Sequence, residues 1–210
     1  MVKTAWNFII PFLLMAGAFG SRGWLLASGL CAALAIFCAN FFRDPNREIP
    51  ADPSVLVSPA DGKVIAIEQV DDPFSGPGTE IRIFLNVFDV HVQRSPFTGP
   101  SRVESTRYYA GKFLAASVPK ASLENEQHWI RLNGPGGQKV TVKQVAGLIA
   151  RRIISWVRPG DELRAGQHLG LIQFGSQVDL AFSKTWVPAV QIGQRVLGGE
   201  TVMARKKVKK

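Results

Sequence analysis

The sequence predicts a mainly β domain behind an apolar helical hairpin, and three observations carry that prediction. Residues 6–42 are almost wholly apolar and broken at Ser21-Arg22. From Val55 onward short apolar runs, several of them alternating, are separated by Gly- and Pro-containing turns. After residue 50 no segment holds the 3.6-residue period for more than about two turns.

The elements follow in order. Trp6 to Gly20 is the shorter apolar run and contains Pro11, so it spans a bilayer marginally or enters and returns. Gly23 to Phe42 is about twenty residues, the length a helix needs to cross. A cleaved signal peptide competes for this stretch, but a second apolar run follows where a small-residue cleavage site and a polar segment belong. Lys3 flanks one end of the pair, Arg43 and Arg47 the other, and only Arg22 opposes them, so both ends are expected on the cytoplasmic side. Asp44-Pro45 and Ile49-Pro50 make a stiff exit. Strands are expected at Val64–Val70, Glu80–Val87, Val103–Tyr109 and Trp129–Leu132, and over Val140–Val157 with a kink near Gly147. Gly134-Pro135-Gly136-Gly137 is a hairpin loop, and 111–127 is either a loop or a short helix. The resulting organisation is a hairpin over 1–43, a linker over 44–54, a β-rich domain over 55–204 and a basic tail over 205–210.

The net charge of +9 is concentrated at the carboxyl end, where Arg205, Lys206, Lys207, Lys209 and Lys210 fall within six residues. Such a tail suits anionic lipid or a solvated end. Nucleic acid is a poor partner, because no aromatic stacking motif is interleaved with those charges. Cys31 and Cys38 both lie in the apolar run, which leaves no disulfide framework or zinc site. His91, His128 and His168 are far apart, without metal-ligand spacing, so no metal is expected.

The stretch His168–Leu180, HLGLIQFGSQVDL, reads as two short strands meeting at Gly175-Ser176. A Gly-Ser pair there is a plain tight turn, or else a site where the Ser176 hydroxyl attacks the unhindered Gly175 carbonyl. The preceding turns Pro159-Gly160-Asp161 and Ala165-Gly166-Gln167 resemble the hairpin of lipoyl- and biotinyl-carrier domains, which implies a barrel-sandwich-like architecture with Gly175-Ser176 at the hairpin tip. Carrier chemistry is unsupported, because no lysine occupies that tip. Asp61 lies in a Ser-Pro-Ala-Asp-Gly turn, and His91 at a strand end between Asp89 and Arg94. Lys143 to Arg152 reads KQVAGLIARR, a candidate anion-binding stretch or a solvated face.

Together the ADG turn, FDVHVQRSP, KQVAGLIARRI and GLIQFGSQVDL resemble the phosphatidylserine decarboxylase family in its short, archaeal-type branch. With the apolar hairpin, the resemblance covers essentially the whole chain. The longer branch carries Leu-Gly-Ser-Thr where this chain has Phe174-Gly175-Ser176-Gln177, and a second histidine where it has Arg94. The resemblance implies a self-processing proenzyme cut between Gly175 and Ser176 into a large chain, 1–175, and a small chain, 176–210, that remain together as a heterodimer. It implies a pyruvoyl group made from Ser176 in place of pyridoxal phosphate, and decarboxylation of phosphatidylserine to phosphatidylethanolamine through a Schiff base. In this scheme His91 is the base for Ser176, and Asp61 or Asp89 orients it. Lys143, Arg151 and Arg152 are candidates for the substrate phosphate. The expected location is the cell membrane, with the β domain on its cytoplasmic face. The rival reading is a membrane-anchored barrel-sandwich adaptor without catalysis.

Overall fold

The computed structural model describes residues 1–114, 124–148, 152–173 and 176–207. They form two compact units, Met1–Asn46 and Arg47–Lys210.

In the first unit, α1 (Trp6–Gly20) and α2 (Leu25–Phe41) pack antiparallel. Gly23 turns the chain with a φ of +77°, and the Ser28 hydroxyl donates to the Ala16 carbonyl at 2.8 Å. The second helix is shorter than expected. Gly23 and Trp24 are drawn out of it by the turn and Phe42 caps its end, leaving 17 residues. At 1.5 Å per residue that is roughly 25 Å, short of a hydrocarbon core of about 30 Å. Among the described residues no helix is long and apolar enough to cross a membrane. Leu14, Leu25, Leu26 and Ile36 are nevertheless largely exposed, at 70%, 75%, 93% and 71%.

The second unit is mainly β among its described residues, with a 3-10 turn at Pro135–Gly137 and Glu124 helical. Its frame is a curled, antiparallel eight-stranded sheet. The strands are β2 (Gly62–Asp72), β3 (Gly76–Leu85), β5 (Ser101–Tyr109), β6 (Gln127–Gly134), β7 (Gln138–Val145), β9 (Glu162–Leu163), β11 (Ser176–Ser183) and β13 (Arg195–Val196), in the order β13-β2-β3-β11-β7-β6-β5-β9. A three-stranded sheet joins β4 (Val92–Arg94), β10 (His168–Gln173) and β8 (Arg152–Ser155), and another joins β1 (Val55–Val57), β14 (Val202–Lys206) and β12 (Trp186–Pro188). The expected strand over 140–157 is therefore two strands in different sheets, with 149–151 outside the described residues. The undecided stretch 111–127 lies partly outside them as well, at 115–123.

Alternation explains the packing of the large sheet. Ile81, Ile83 and Leu85 of β3, Val178, Leu180 and Phe182 of β11, Val140 and Val142 of β7, and Ile130 and Leu132 of β6 point to one face and form a buried core. The β2–β3 turn is held by the Asp72 carboxylate, which accepts from the Phe74 and Ser75 amides and from the Thr141 hydroxyl.

The structure changes the reading of Gly175-Ser176 as a hairpin tip. β10 and β11 do not pair with each other: β10 lies between β4 and β8, and β11 between β3 and β7. The junction is a crossing from one sheet to another, so the carrier-type hairpin is not found there. The first two residues of the basic stretch over 205–210, Arg205 and Lys206, belong to β14.

Candidate active site

Ser176 opens β11 opposite Leu85 of β3 and is fully buried. It shares the inward parity of Val178 and Leu180, so its side chain belongs to the core face. Its hydroxyl has no hydrogen-bond partner among the described residues. Leaving a hydroxyl buried and unpaired costs about 1–3 kcal/mol. Gly175 and Phe174, immediately before it, lie outside the described residues.

The face around Ser176 changes character within two rows of the sheet. The row through Leu180, Val142 and Ile130 is hydrocarbon. The next row, toward Ser176, carries Val178, then Gln144 of β7, then His128 of β6. The polar end of the sheet therefore coincides with the start of β11.

His91 is fully buried just before β4 and accepts the Ile172 amide at its carbonyl, four residues from Ser176 along the chain. Its Nδ1 lies 2.9 Å from the Asp89 carbonyl oxygen. That oxygen can only accept, so Nδ1 carries the proton and Nε2 of the neutral ring is the basic edge. Asp89 thus meets His91 through its main chain, while its carboxylate accepts from the Asn86 amide and pairs with Arg195. Asp61 is held by both oxygens: Arg47 Nη2 donates to Oδ1 at 2.8 Å and to Oδ2 at 2.7 Å, and the Gly198 amide donates to Oδ1 at 2.8 Å. The arrangement ties the linker and the loop after β13 to the ADG turn.

Three further polar residues here were not singled out from the sequence: Gln93 and Gln144, which lie within FDVHVQRSP and KQVAGLIARRI, and His128, which lies in no motif. Gln93 Nε2 donates to the His91 carbonyl at 2.6 Å, and Gln144 Nε2 donates to Gln93 Oε1 at 2.8 Å. His128 Nδ1 stands 3.2 Å from Gln144 Oε1. Glutamine at a core-facing strand position was the available clue, because a buried amide needs partners on both its atoms.

A family model for phosphatidylserine decarboxylase matches residues 34–204. A phosphatidylserine decarboxylase proenzyme of Solibacter usitatus is 48% identical over 173 residues, covering 82% of this chain and 80% of its own. One from Ralstonia nicotianae is 43% identical over 198 residues, covering 94% and 89%. Another, from Nitrosomonas europaea, is 41% identical over 212 residues, covering 97% and 94%. The chain belongs to the phosphatidylserine decarboxylase family.

The decarboxylase, a lyase by its family, keeps its cations of the KQVAGLIARR stretch in unequal settings. Lys143 is half-buried, donates to Glu80 at 2.6 Å and lies 4.4 Å over the Trp129 ring. It faces away from Ser176, since it pairs with Asp179 on the opposite side of the sheet. Arg152 is exposed at the start of β8, and Arg151 lies outside the described residues. Also on that opposite face of the decarboxylase, Asp179 is fully buried between Arg82 and Lys143. Burial, reinforced by Glu80, pushes its carboxyl up to about 7 against the Gln177 amide and the two cations. Its Oδ1 accepts from Gln177 at 2.6 Å, and its Oδ2 has no partner among the described residues. Among those residues no cluster of three His, Cys, Asp or Glu can hold a metal ion.

Proposed function

We propose that this chain is a self-cleaving proenzyme that decarboxylates phosphatidylserine to phosphatidylethanolamine, with a pyruvoyl group made from Ser176. The observation that carries the proposal is the buried, unpartnered Ser176 hydroxyl at the polar end of the central sheet. The relatives, all named as proenzymes of this activity, support it and do not favour the adaptor reading.

In the maturation step the Ser176 hydroxyl attacks the Gly175 carbonyl, and the peptide bond gives way to an ester. His91 Nε2 takes the hydroxyl proton, and the Asp89 carbonyl holds the ring in the tautomer that can do so. Asp61 keeps the adjoining turn in place through Arg47 and Gly198. Loss of the Ser176 α-proton and β-elimination then separate chain 1–175, with a new Gly175 carboxylate, from chain 176–210, which begins with dehydroalanine. Water hydrolyses the corresponding imine, ammonia leaves, and the pyruvoyl group remains. The two stay together as a heterodimer because β11, the first strand of the small chain, is sandwiched between β3 and β7 of the large one.

The pyruvoyl group supplies a carbonyl for the substrate amine and a sink for the electrons left by the carboxylate. The buried Ser176 fits it, since the unpaired hydroxyl oxygen leaves on the Gly175 carboxylate and no unpaired hydroxyl remains at 176. Of the described candidate phosphate ligands, Lys143 and Arg152, the second is the exposed one, and we assign it that contact. The exposed leucines of the hairpin suit insertion into the near side of a bilayer. The cations at its two ends, Lys3, Arg43 and Arg47, assign the β unit to the cytoplasmic face.

Intact-mass measurement of the purified protein tests the proposal. The wild type should give two chains parted at 175/176, the small one with a blocked amino terminus. Ser176→Ala should give one full-length, inactive chain, and a Ser176→Ala protein found in two pieces would refute the cleavage assignment.

A further inference from the structure

His128 is a titratable group of the inner face that maturation leaves unused. It lies on the core face of β6, across from Gln144, which in turn faces Val178, one core-face position beyond Ser176. Two strand spacings across and two residues along place the two Cα atoms roughly 12 Å apart. An imidazole and a serine headgroup together fill such a gap.

The hydrogen-bond chain settles which nitrogen of His128 is protonated. Gln93 Nε2 is spent on the His91 carbonyl, so Gln93 Oε1 must receive Gln144 Nε2. Gln144 therefore presents Oε1, an acceptor, to His128 Nδ1. Nδ1 carries the hydrogen, and Nε2 of the neutral ring is left with its lone pair. No described group pairs with that Nε2, and the ring is half-buried, with an edge open to solvent. Burial also holds the imidazole below its usual range, against the Gln144 contact, so the ring is neutral at pH 7. Around it, β5 contributes Tyr108, which is hydrogen-bonded to Glu126, and Lys143 and Arg107 occupy the other face; β8, which touches β6, carries Arg152 at its start.

A neutral nitrogen base beside the reacting position suits a specific need. The amine of a serine phospholipid arrives as an ammonium ion, which has no lone pair with which to attack a carbonyl. We propose that His128 Nε2 takes the proton from that ammonium, directly or through one water, and so frees the amine to attack at position 176. The N–H bond of the ammonium breaks, its electron pair stays on the substrate nitrogen, and an Nε2–H bond forms. The imidazolium then returns its proton to solvent through its exposed edge. The assignment rests on the pyruvoyl reading above.

The test variant is His128→Asn. Its side-chain amide nitrogen replaces Nδ1 as donor to Gln144, but nothing replaces the Nε2 lone pair. On denaturing gels His128→Asn should mature into two chains as the wild type does. Its kcat/KM on phosphatidylserine in mixed micelles should fall about 100-fold at pH 7. The deficit should shrink as pH rises and free amine becomes abundant. In the ¹⁵N-histidine spectrum of the mature wild type, the resonance lost in His128→Asn should show the Nδ1–H tautomer and shift on adding phosphatidylserine micelles, but not phosphatidylcholine micelles. A variant with wild-type kcat/KM across the pH range, or one that stays uncut, would overturn the role of His128. A wild type that never cleaves would instead overturn the pyruvoyl reading.

Discussion

At the scale of single residues, Asp179 and Ser176 stand on opposite faces of one strand, and each leaves a polar atom unpaired. On the proposed function, the unpaired Ser176 hydroxyl is the group that reacts. The setting of Asp179 has a different consequence. With its folded carboxyl raised to about 7 by burial and Glu80, it keeps its proton in the fold at pH values where the unfolded chain has lost it. An unfolded aspartate ionises near about 3.9. Between those limits the folded state binds more protons, so the Asp179 contribution to stability declines as pH rises from about 4 to 7 and is flat above. Asp179→Asn abolishes this dependence. Urea midpoints measured from pH 4 to 8 should show the wild type losing ground to Asp179→Asn up to pH 7 and no further change beyond. A difference that is constant across the range would show that the carboxyl ionises normally.

At the scale of elements, the crossing from β10 to β11 depends on close approach between backbones. A Cβ at Gly170 would meet the Ile154 carbonyl oxygen at 2.2 Å and Gln144 Nε2 at 2.8 Å. The glycine therefore lets β8 lie against β10 and lets Gln144 reach Gln93. Gly170→Ala should destabilise the β unit by about 1–3 kcal/mol, the usual cost of overpacking. It should also slow cleavage, because the displaced strand leads directly into the junction. At Gly99 an added Cβ meets only Pro135 Cγ at 3.6 Å, an ordinary contact. Gly99→Ala is thus the control, with thermal midpoint and cleavage rate both near the wild type. Equal losses in the two variants would mean that the β8–β10 approach has no special part in maturation.

At the scale of the whole molecule, two features suit a lipid surface, and they would act by different physics. The hairpin offers exposed apolar side chains, whereas the carboxyl end offers charge. The first residues of that end are built into the fold: Arg205 pairs with Asp52 at 3.9 Å, the Lys206 amide donates to the Ser54 carbonyl, and the Lys207 amide to that of Thr185. Deleting them would remove part of β14, so neutralising them is the cleaner perturbation. Each basic residue near an anionic surface contributes about 1 kcal/mol, screened within a Debye length. Changing Arg205, Lys206 and Lys207 together to Gln should therefore weaken binding to phosphatidylserine vesicles by roughly 10- to 100-fold at low salt. The difference should vanish at high salt, with the protein still recovered in the membrane fraction. Unchanged vesicle binding at low salt would show these charges to be merely solvated.

Much of this protein is written locally in its chain. The β class follows from alternation at positions such as Ile81, Ile83 and Leu85, and the hairpin from two uninterrupted apolar runs. Ser176, His91 and the family stand out because the motifs that carry them are contiguous. A strand's periodicity reports which face is buried, but not which strand lies beside it. Only the tertiary structure therefore decided that β10 and β11 lie in different sheets rather than pairing as a hairpin, and that β11 is sandwiched between β3 and β7. It also decided that Asp61 holds Arg47 and Gly198, and that Lys143 turns away from the site toward Glu80. The chain from His91 through Gln93 and Gln144 to His128 belongs to the same class. Its members come from three strands and the loop before one of them, and strand register alone, which is set by non-local pairing, brings them into hydrogen-bond range.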